Sequence, residues 1–226
     1  MANHFKVNRN IHFIPLLAFV SCILFFLITQ ENNLSNLLMD FIYAISISTI
    51  AAYIFYIFNI FLPEKKRKAI IKKNFEEQYF YFKEECIYIF LSALGQSSNK
   101  EIWEKLCDLE EFKNYFKENF ANSQDRWHKV WQELDGRLLE DLLIQLSILR
   151  DEVAFVLNNT EINDKSVLSF FRLLSQRVYN FKARGINMEY EDKKSLLRFL
   201  WELFTGWSFV DGYPREDIVK LMTKEI

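Results

Sequence analysis

The side chains that could act as catalytic groups are few and scattered along this sequence. It has three histidines, at positions 4, 12 and 128, and three cysteines, at positions 22, 86 and 107. Only His128 lies in the part that we expect to be soluble, so a histidine cluster for a catalytic metal is excluded there. No glycine-rich phosphate loop, GxSxG motif or HExxH motif occurs. A thiol nucleophile would have to pair His128 with Cys86 or Cys107, and we expect no catalytic residue, no metal and no cofactor.

A run of basic residues without acidic neighbours is the strongest signal for binding. Between Lys165 and Met188 the chain has five cations and no Asp or Glu. The guanidinium group of arginine can donate two parallel hydrogen bonds to phosphate oxygens, and aromatic rings or guanidinium groups stack on nucleobases. The run therefore predicts a ligand-binding helix flank, made of Arg172, Gln176, Arg177, Tyr179, Asn180, Lys182 and Arg184. In the alternative interpretation, these cations pair with acidic residues of adjacent helices.

Two aromatic segments are further candidates for a contact surface. Trp127 and His128 follow Arg126, although Trp127 also fits a hydrophobic core stripe. The loop Gly206–Tyr213 carries a tryptophan, a phenylalanine and a tyrosine. This loop is either a packed plug or a surface for a protein partner.

Two long apolar runs, about 11–29 and 37–62, precede these residues and place them relative to a membrane. Each run has roughly the 20 residues that cross a hydrocarbon layer of ~30 Å. Lys6 and Arg9 precede the first run, and six cations follow the second between Lys65 and Lys73, which predicts that both termini are cytoplasmic. We expect a hairpin of two spans in lipid over 1–63 and a cytoplasmic domain over 64–226. A cleaved signal peptide is the alternative for the first run, although no small-residue cleavage site follows it.

One face of the second run carries small and polar residues at a spacing of four. They are Asp40, Ala44, Ser48, Ala52 and Tyr56, and this spacing puts them on one side of a helix. Small residues let a neighbouring backbone approach closely, and a serine hydroxyl can bond across the contact. The face packs on the first span of the same chain, or it contacts other subunits of a homo-oligomer or lines a pore.

The remaining sequence predicts an all-α domain. Half of the residues are apolar, while the chain has only five glycines and three prolines, a balance that favours helices. The net charge of −2 gives no reason to expect duplex nucleic acid as a partner. We expect a bend or restart at Pro63, buried free thiols, and helices over 64–94, 99–107, 109–121, about 125–157, 164–184 and 191–205, with a last one from Pro214.

The segment Ala51–Lys68, read AAYIFYIFNIFLPEKKRK, resembles the exit segment of bacterial proteins that have a two-span hairpin and a helical cytoplasmic domain. In its size and order of parts, the chain also resembles the two-span ancillary effector of type III CRISPR systems, which responds to cyclic tetra-adenylate. The resemblance implies a location in the bacterial inner membrane and a cyclic oligoadenylate as the ligand. It identifies no binding residue.

The sequence patterns predict an oligomeric membrane protein with a cytoplasmic binding domain, and the resemblance implies that it is an inner-membrane effector of antiphage defence. Its cytoplasmic domain would bind a cyclic oligonucleotide signal, and its hairpins would then perturb the membrane. The alternative is a membrane-anchored adaptor that docks a protein partner through the loop Gly206–Tyr213 and has neither ligand nor pore. An enzyme of unfamiliar type is a third hypothesis.

Overall fold

The computed structural model describes residues 20, 23, 36–96, 100–120, 124–134, 136–206 and 216–226. These residues are almost entirely helical, which confirms the all-α class. The strands among them are two residues each, β1 (Asn119–Phe120) and β2 (Gln124–Asp125), and they pair antiparallel. The chain divides into two compact units, Met1–Ala69 and Ile70–Ile226.

The first unit contains a helix that is long and apolar enough to cross a membrane. Helix α1 (Asn36–Tyr56) continues through a π-helical turn (Ile57–Phe61) into α2 (Leu62–Ala93). Within the described residues, one helix meets the length and composition of a membrane span. Large apolar side chains on it are exposed, among them Phe41, Phe55 and Phe58. The first predicted span, 11–29, lies outside the described residues except for Val20 and Ile23, which are helical and exposed.

The π-helical turn lies just before Pro63, where the sequence predicts a bend or restart. Proline lacks an N–H and its ring crowds the carbonyl four residues back, which here belongs to Asn59. The backbone N–H of Leu62 instead donates to the carbonyl of Ile57, five residues back. The wider π turn therefore accommodates Pro63, and the helix continues without a restart.

Helix α2 then supplies the central stripe of the second unit. Its buried residues recur at spacings of three, four and seven and include Ile71, Phe75, Phe82, Cys86, Ile89 and Ala93. The helix ends as predicted at Gly95, whose φ of +70° is the left-handed conformation that glycine tolerates. The N–H of Gln96 donates to the carbonyl of Leu91 at 3.0 Å, and that of Gly95 to Ser92 at 2.9 Å. Both bonds satisfy carbonyls of the last helical turn.

Seven further helices complete the second unit among the described residues. They are α3 (Lys100–Leu106), α4 (Leu109–Lys117), α5 (Arg126–Glu133), α6 (Gly136–Asn159), α7 (Lys165–Arg184), α8 (Tyr190–Thr205) and α9 (Ile218–Lys224). Aspartate side chains accept hydrogen bonds from first-turn N–H groups of four of them, at Asp108, Asp125, Asp164 and Asp217. Helix α6 packs on α7, and α4 packs on α8.

Three predicted helix boundaries are wrong. The helix expected over 125–157 is two helices, because Leu134 leaves helical geometry and Gly136 has a φ of +43°. The helix expected to reach 121 ends at Lys117, where Arg126 donates from its Nη1 to the carbonyl of Tyr115 at 2.9 Å. The last helix begins at Ile218 rather than at Pro214, which lies outside the described residues.

Phe90 of α2 lies at the centre of an aromatic core in the second unit. Its ring centroid is 5.1 to 6.2 Å from those of four other rings, Phe112, Phe116, Trp127 and Phe204. Most of these contacts are edge-to-face, the geometry that aromatic pairs prefer. The core thereby fixes α2, α4, α5 and α8 against each other. The free thiols of Cys86 and Cys107 are buried in the same unit, as predicted.

Candidate functional site

Helix α7 carries all seven residues of the predicted ligand-binding flank. Asp164 begins the helix by accepting the N–H of Ser166 at 2.7 Å, and Gly185 ends it with a φ of +69°. Its buried face is formed by Val167, Phe171, Leu174, Val178 and Phe181. This buried face fixes the rotation of α7, and it leaves the polar residues distributed over two flanks of the helix.

Three of the seven residues line one groove between α6 and α7. Arg172, Gln176 and Tyr179 follow each other at spacings of four and three, which aligns them on one face. The groove has a volume of about 440 Å³, and Ser175 also lines it from α7. From α6 it is lined by Arg150, Asp151, Ala154 and Leu157. We call it the α6–α7 groove.

The two arginines of the α6–α7 groove differ in their partners. Arg150 donates from Nη2 and Nε to Oδ1 of Asp151, at 2.8 and 3.1 Å. Its guanidinium carbon is 5.9 Å from the ring centroid of Tyr179. Arg172 is exposed, and in the described part of the chain it has no carboxylate within ion-pair distance. The lining therefore holds two cations and one carboxylate, with one arginine fork still available to an anion.

The other predicted cations lie away from the α6–α7 groove. Nη1 of Arg177 is 3.5 Å from Oε2 of Glu202 on α8, and Arg184 pairs with Asp192. Lys182 donates to the hydroxyl of Ser147 on α6 at 2.6 Å. For Arg177 and Arg184, the structure thus matches the alternative interpretation, pairing with an adjacent helix.

Glu202, the acidic partner of Arg177, has a raised pKa. Burial raises the pKa of Glu202 more than the charges of Arg177 and Arg198 lower it.

Asn180 is exposed and does not line the α6–α7 groove. The predicted set of seven is therefore divided, and only its Arg172, Gln176 and Tyr179 share a site.

The predicted membrane face remains on the outside of α1. Asp40, Ala44, Ser48 and Ala52 are all exposed, and Tyr56 is half-buried. The ring of Tyr56 lies 6.5 Å from that of Phe61 in the π turn. The adaptor hypothesis depends on the loop 206–213, of which only Gly206 is among the described residues.

The second aromatic candidate is divided between two roles. Arg126 stacks on Tyr115, with its guanidinium carbon 4.4 Å from the ring centroid, and pairs with Glu118. It thereby fastens the end of α4 to the start of α5. Trp127 and His128 instead line an open groove between α5 and α8.

No family model, curated protein or solved structure matches this chain. Its function is therefore argued from the chemistry of its own surfaces. In the described part of the chain no three His, Cys, Asp or Glu side chains converge as metal ligands. The α6–α7 groove offers a guanidinium fork, an amide, a hydroxyl and a phenol ring, which are the groups that bind phosphate oxygens and stack on a base.

Sequence reasoning missed Arg150 and Asp151, because both lie on a different helix from the acid-free run. It also missed a buried polar cluster between α2, α9 and the end of α3. Lys83 is 1% exposed, and its Nζ lies 3.3 Å from Oδ2 of Asp217 and 2.8 Å from the carbonyl oxygen of Cys107. The hydroxyl of Tyr79 donates to the same carboxylate at 3.1 Å.

The surroundings of this cluster alter the pKa values of its members. Burial lowers the pKa of Lys83, and the carboxylate of Asp217 opposes that effect. Burial, together with the negative charge of Asp217, raises the pKa of Tyr79 well above its usual value. Burial likewise raises the pKa of Cys107 to about 11. These shifts follow from enclosure in the fold, and we assign the cluster to holding α2, α9 and the α3–α4 turn together.

Proposed function

We propose that this protein is a membrane-anchored receptor that binds an anionic nucleotide in the α6–α7 groove and perturbs the membrane in response. From the resemblance to the two-span effector of type III CRISPR systems, we further propose that the protein is a homo-oligomeric effector of antiphage defence in the bacterial inner membrane. It would have two spans, both termini in the cytoplasm and a cyclic oligoadenylate as its signal.

The observation that supports this proposal most is the state of Arg172. Arg177 and Arg184 on the same helix are paired with carboxylates of α8, whereas Arg172 has no such partner among the described residues. It faces a groove that also presents Gln176 and Tyr179. Arginine is the side chain best suited to a planar, bidentate contact with phosphate. A nucleotide whose phosphodiester binds Arg172 and whose base stacks on Tyr179 would also contact Gln176, which lies between them on the same helix face.

The membrane part of the proposal is supported by the helix that contains α1. In an apolar window of 18 residues on this helix, 6% of the residues are buried among the described residues, so its apolar side chains are available for contact with lipid, with the first predicted span or with other copies of the chain. The exposed line of Asp40, Ala44, Ser48 and Ala52 is where a second backbone could approach closely. We propose that this face packs between subunits.

Calorimetry of the full-length protein in detergent tests the binding step. The ligands are cyclic mono-, di- and oligonucleotides, including cyclic tetra-adenylate. Arg172→Glu should abolish binding, because it places a carboxylate where the phosphate would lie. Arg177→Gln is the matched control, since it removes a cation of the same helix that does not line the groove, and it should bind as the unaltered protein does. No binding of any of these ligands, or equal binding by both variants, would contradict the proposal.

A further inference from the structure

We propose that the open groove between α5 and α8 is a second ligand site, which takes a nucleotide by stacking its base on tryptophan and holding its phosphate on lysine and arginine. This groove, called the tryptophan groove below, shares no lining residue with the α6–α7 groove. It has a volume of about 500 Å³, within the range of about 300–1,000 Å³ found for small-molecule sites.

Two helix faces build the tryptophan groove. Asp125 caps α5 by accepting the N–H of His128 at 2.7 Å, which places Trp127 in the first turn and Trp131 one turn later. Helix α8 contributes residues at spacings of three and four, Lys194, Leu197, Arg198 and Trp201. Lys117, at the end of α4, completes the basic lining.

Ring contacts hold the aromatic surface of the tryptophan groove, and Phe90 supports Trp127 from the buried side. The ring centroid of Trp127 lies 5.2 Å from that of Trp201 and 5.1 Å from that of the buried Phe90. Trp131 lies 5.3 Å from His128 and 5.1 Å from Tyr190. A stacking surface held in this way loses little conformational freedom when a planar ligand binds.

The three tryptophans are less buried than the phenylalanines of the aromatic core, against which they pack. Phe90, Phe112, Phe116 and Phe204 are all 0% exposed, whereas the three tryptophans are half-buried. Their indole N–H groups donate to no partner in the described part of the chain, and none of these nitrogens is a fully buried atom. Three indole rings, whose N–H groups donate to none of the described residues, therefore line one groove.

The charge of the lining favours an anion over a neutral aromatic compound. Three cations, Lys117, Lys194 and Arg198, and one carboxylate, Asp125, line the groove, and the charge of Glu202 outside this lining also acts on Arg198. That carboxylate already accepts the N–H of His128. Lys194 is 3.8 Å from Glu191 in an exposed pair, a contact that contributes little stability and that a phosphate could displace. The rings of such a lining can stack on a base while its cations bind a nearby phosphate.

Calorimetry with three simple probes tests the tryptophan groove in the full-length protein in detergent. The probes are adenosine 5′-monophosphate, adenosine and ribose 5-phosphate, so that base and phosphate can be removed in turn. We expect the nucleotide to bind more tightly than either fragment. Binding of ribose 5-phosphate as tight as that of the nucleotide, or no binding of the nucleotide at millimolar concentration, would overturn the proposal.

Matched variants locate the binding. Trp131→Ala and Lys194→Glu should each raise the Kd of the nucleotide, the first by about 5- to 150-fold if one base stacks on that ring. Trp103→Ala and Lys193→Glu are the controls, because neither residue lines the groove, and both should leave the Kd unchanged. Urea unfolding of each variant verifies that it is folded.

The same titration separates this site from the α6–α7 groove. Arg172→Glu should leave binding of adenosine 5′-monophosphate unchanged. Loss of that binding in Arg172→Glu, with normal binding by Trp131→Ala and Lys194→Glu, would overturn the tryptophan groove and favour the α6–α7 groove. Failure of every cyclic oligonucleotide, with the expected pattern for the monophosphate, would instead contradict only the proposed function.

Discussion

Replacing Asp217 by asparagine tests the buried cluster most sharply, because it removes one charge and keeps the shape of the side chain. In the folded protein Lys83 and Asp217 are 1% and 7% exposed at their side chains, and 3.3 Å separates their charged atoms. Asparagine can still accept the N–H groups of Val219 and Lys220, which the carboxylate accepts at 3.1 and 3.2 Å. The substitution thus leaves the cap of α9, and it removes the ion pair together with the acceptor Oδ2 that faces Lys83 and Tyr79.

The expected cost is about 3–5 kcal/mol of the free energy of unfolding, the usual result of leaving one partner of a buried pair without its counter-charge. Among the described residues, Lys83 would keep the carbonyl of Cys107 as an acceptor. Adding Lys83→Met to Asp217→Asn removes the isolated charge, so the double variant should be more stable than Asp217→Asn alone. Asp217→Ala should cost about 1 kcal/mol more than Asp217→Asn, because it also removes the cap.

The stability of Asp217→Asn should depend on pH in a defined direction. Burial already lowers the pKa of Lys83 and Asp217 opposes this, so the pKa of Lys83 falls further when the carboxylate is gone. Between that lowered pKa and the value of about 10.4 for a lysine in an unfolded chain, the unfolded state binds more protons. The contribution of Lys83 to the free energy of unfolding therefore rises with pH in that interval. The loss of stability in Asp217→Asn, relative to the unaltered protein, should be smaller at pH 10 than at pH 7.

Urea unfolding of the full-length protein in detergent, followed by tryptophan fluorescence, measures these differences. Trp127 reports on the second unit because it packs on Phe90 and Phe112. A cost of less than about 1 kcal/mol for Asp217→Asn, a double variant no more stable than Asp217→Asn, or a loss of stability that does not change with pH would contradict a buried ion pair between Lys83 and Asp217.

Two further predictions concern backbone strain and thiol chemistry. Gly206→Ala should lose more stability than the matched control Gly136→Ala, although both glycines have positive φ. A Cβ at Gly206 would lie 2.6 Å from the carbonyl oxygen of Glu216, whereas one at Gly136 would meet nothing within 4 Å. Left-handed strain alone costs about 1–2 kcal/mol, and equal losses in urea unfolding would contradict the contact. Since its pKa is about 11, Cys107 should react with iodoacetamide at pH 8 roughly 200-fold more slowly than a free thiol of pKa ~8.5. Mass spectrometry of the alkylated peptide, with and without urea, measures this, and equal rates would contradict the shift.

Features that depend on local sequence were predictable. Asp108, Asp125 and Asp164 begin helices because a carboxylate can accept first-turn N–H groups, and Gly95 and Gly185 end them because glycine tolerates positive φ. The buried stripe of α2 was visible for the same reason, since its spacing is a property of one helix.

The break between α5 and α6 shows where a regular pattern misleads. Leu134 and Leu138 continue the hydrophobic spacing across it, so periodicity alone predicts one helix. Leu134 is fully buried but has a ψ of 90°, so it contributes to the core from outside the helix. The Asp-Gly pair at 135–136 is a turn signal that could have revealed the break.

Features that join distant parts of the chain were not predictable from one sequence. Lys83 lies 134 residues before its partner Asp217, and a lysine is normally read as solvent-exposed. Arg172, Gln176 and Tyr179 could be grouped because they share a helix face. Arg150 could not be added, because only the packing of α6 on α7 brings it to the same groove.

Release of a dye from liposomes that contain the full-length protein tests the central claim most directly. Cyclic tetra-adenylate is added outside, and release is followed with time for the unaltered protein, Arg172→Glu and Arg177→Gln. We expect ligand-dependent release by the unaltered protein and by Arg177→Gln, and none by Arg172→Glu. Ligand binding without any release, or equal release by Arg172→Glu, would contradict it.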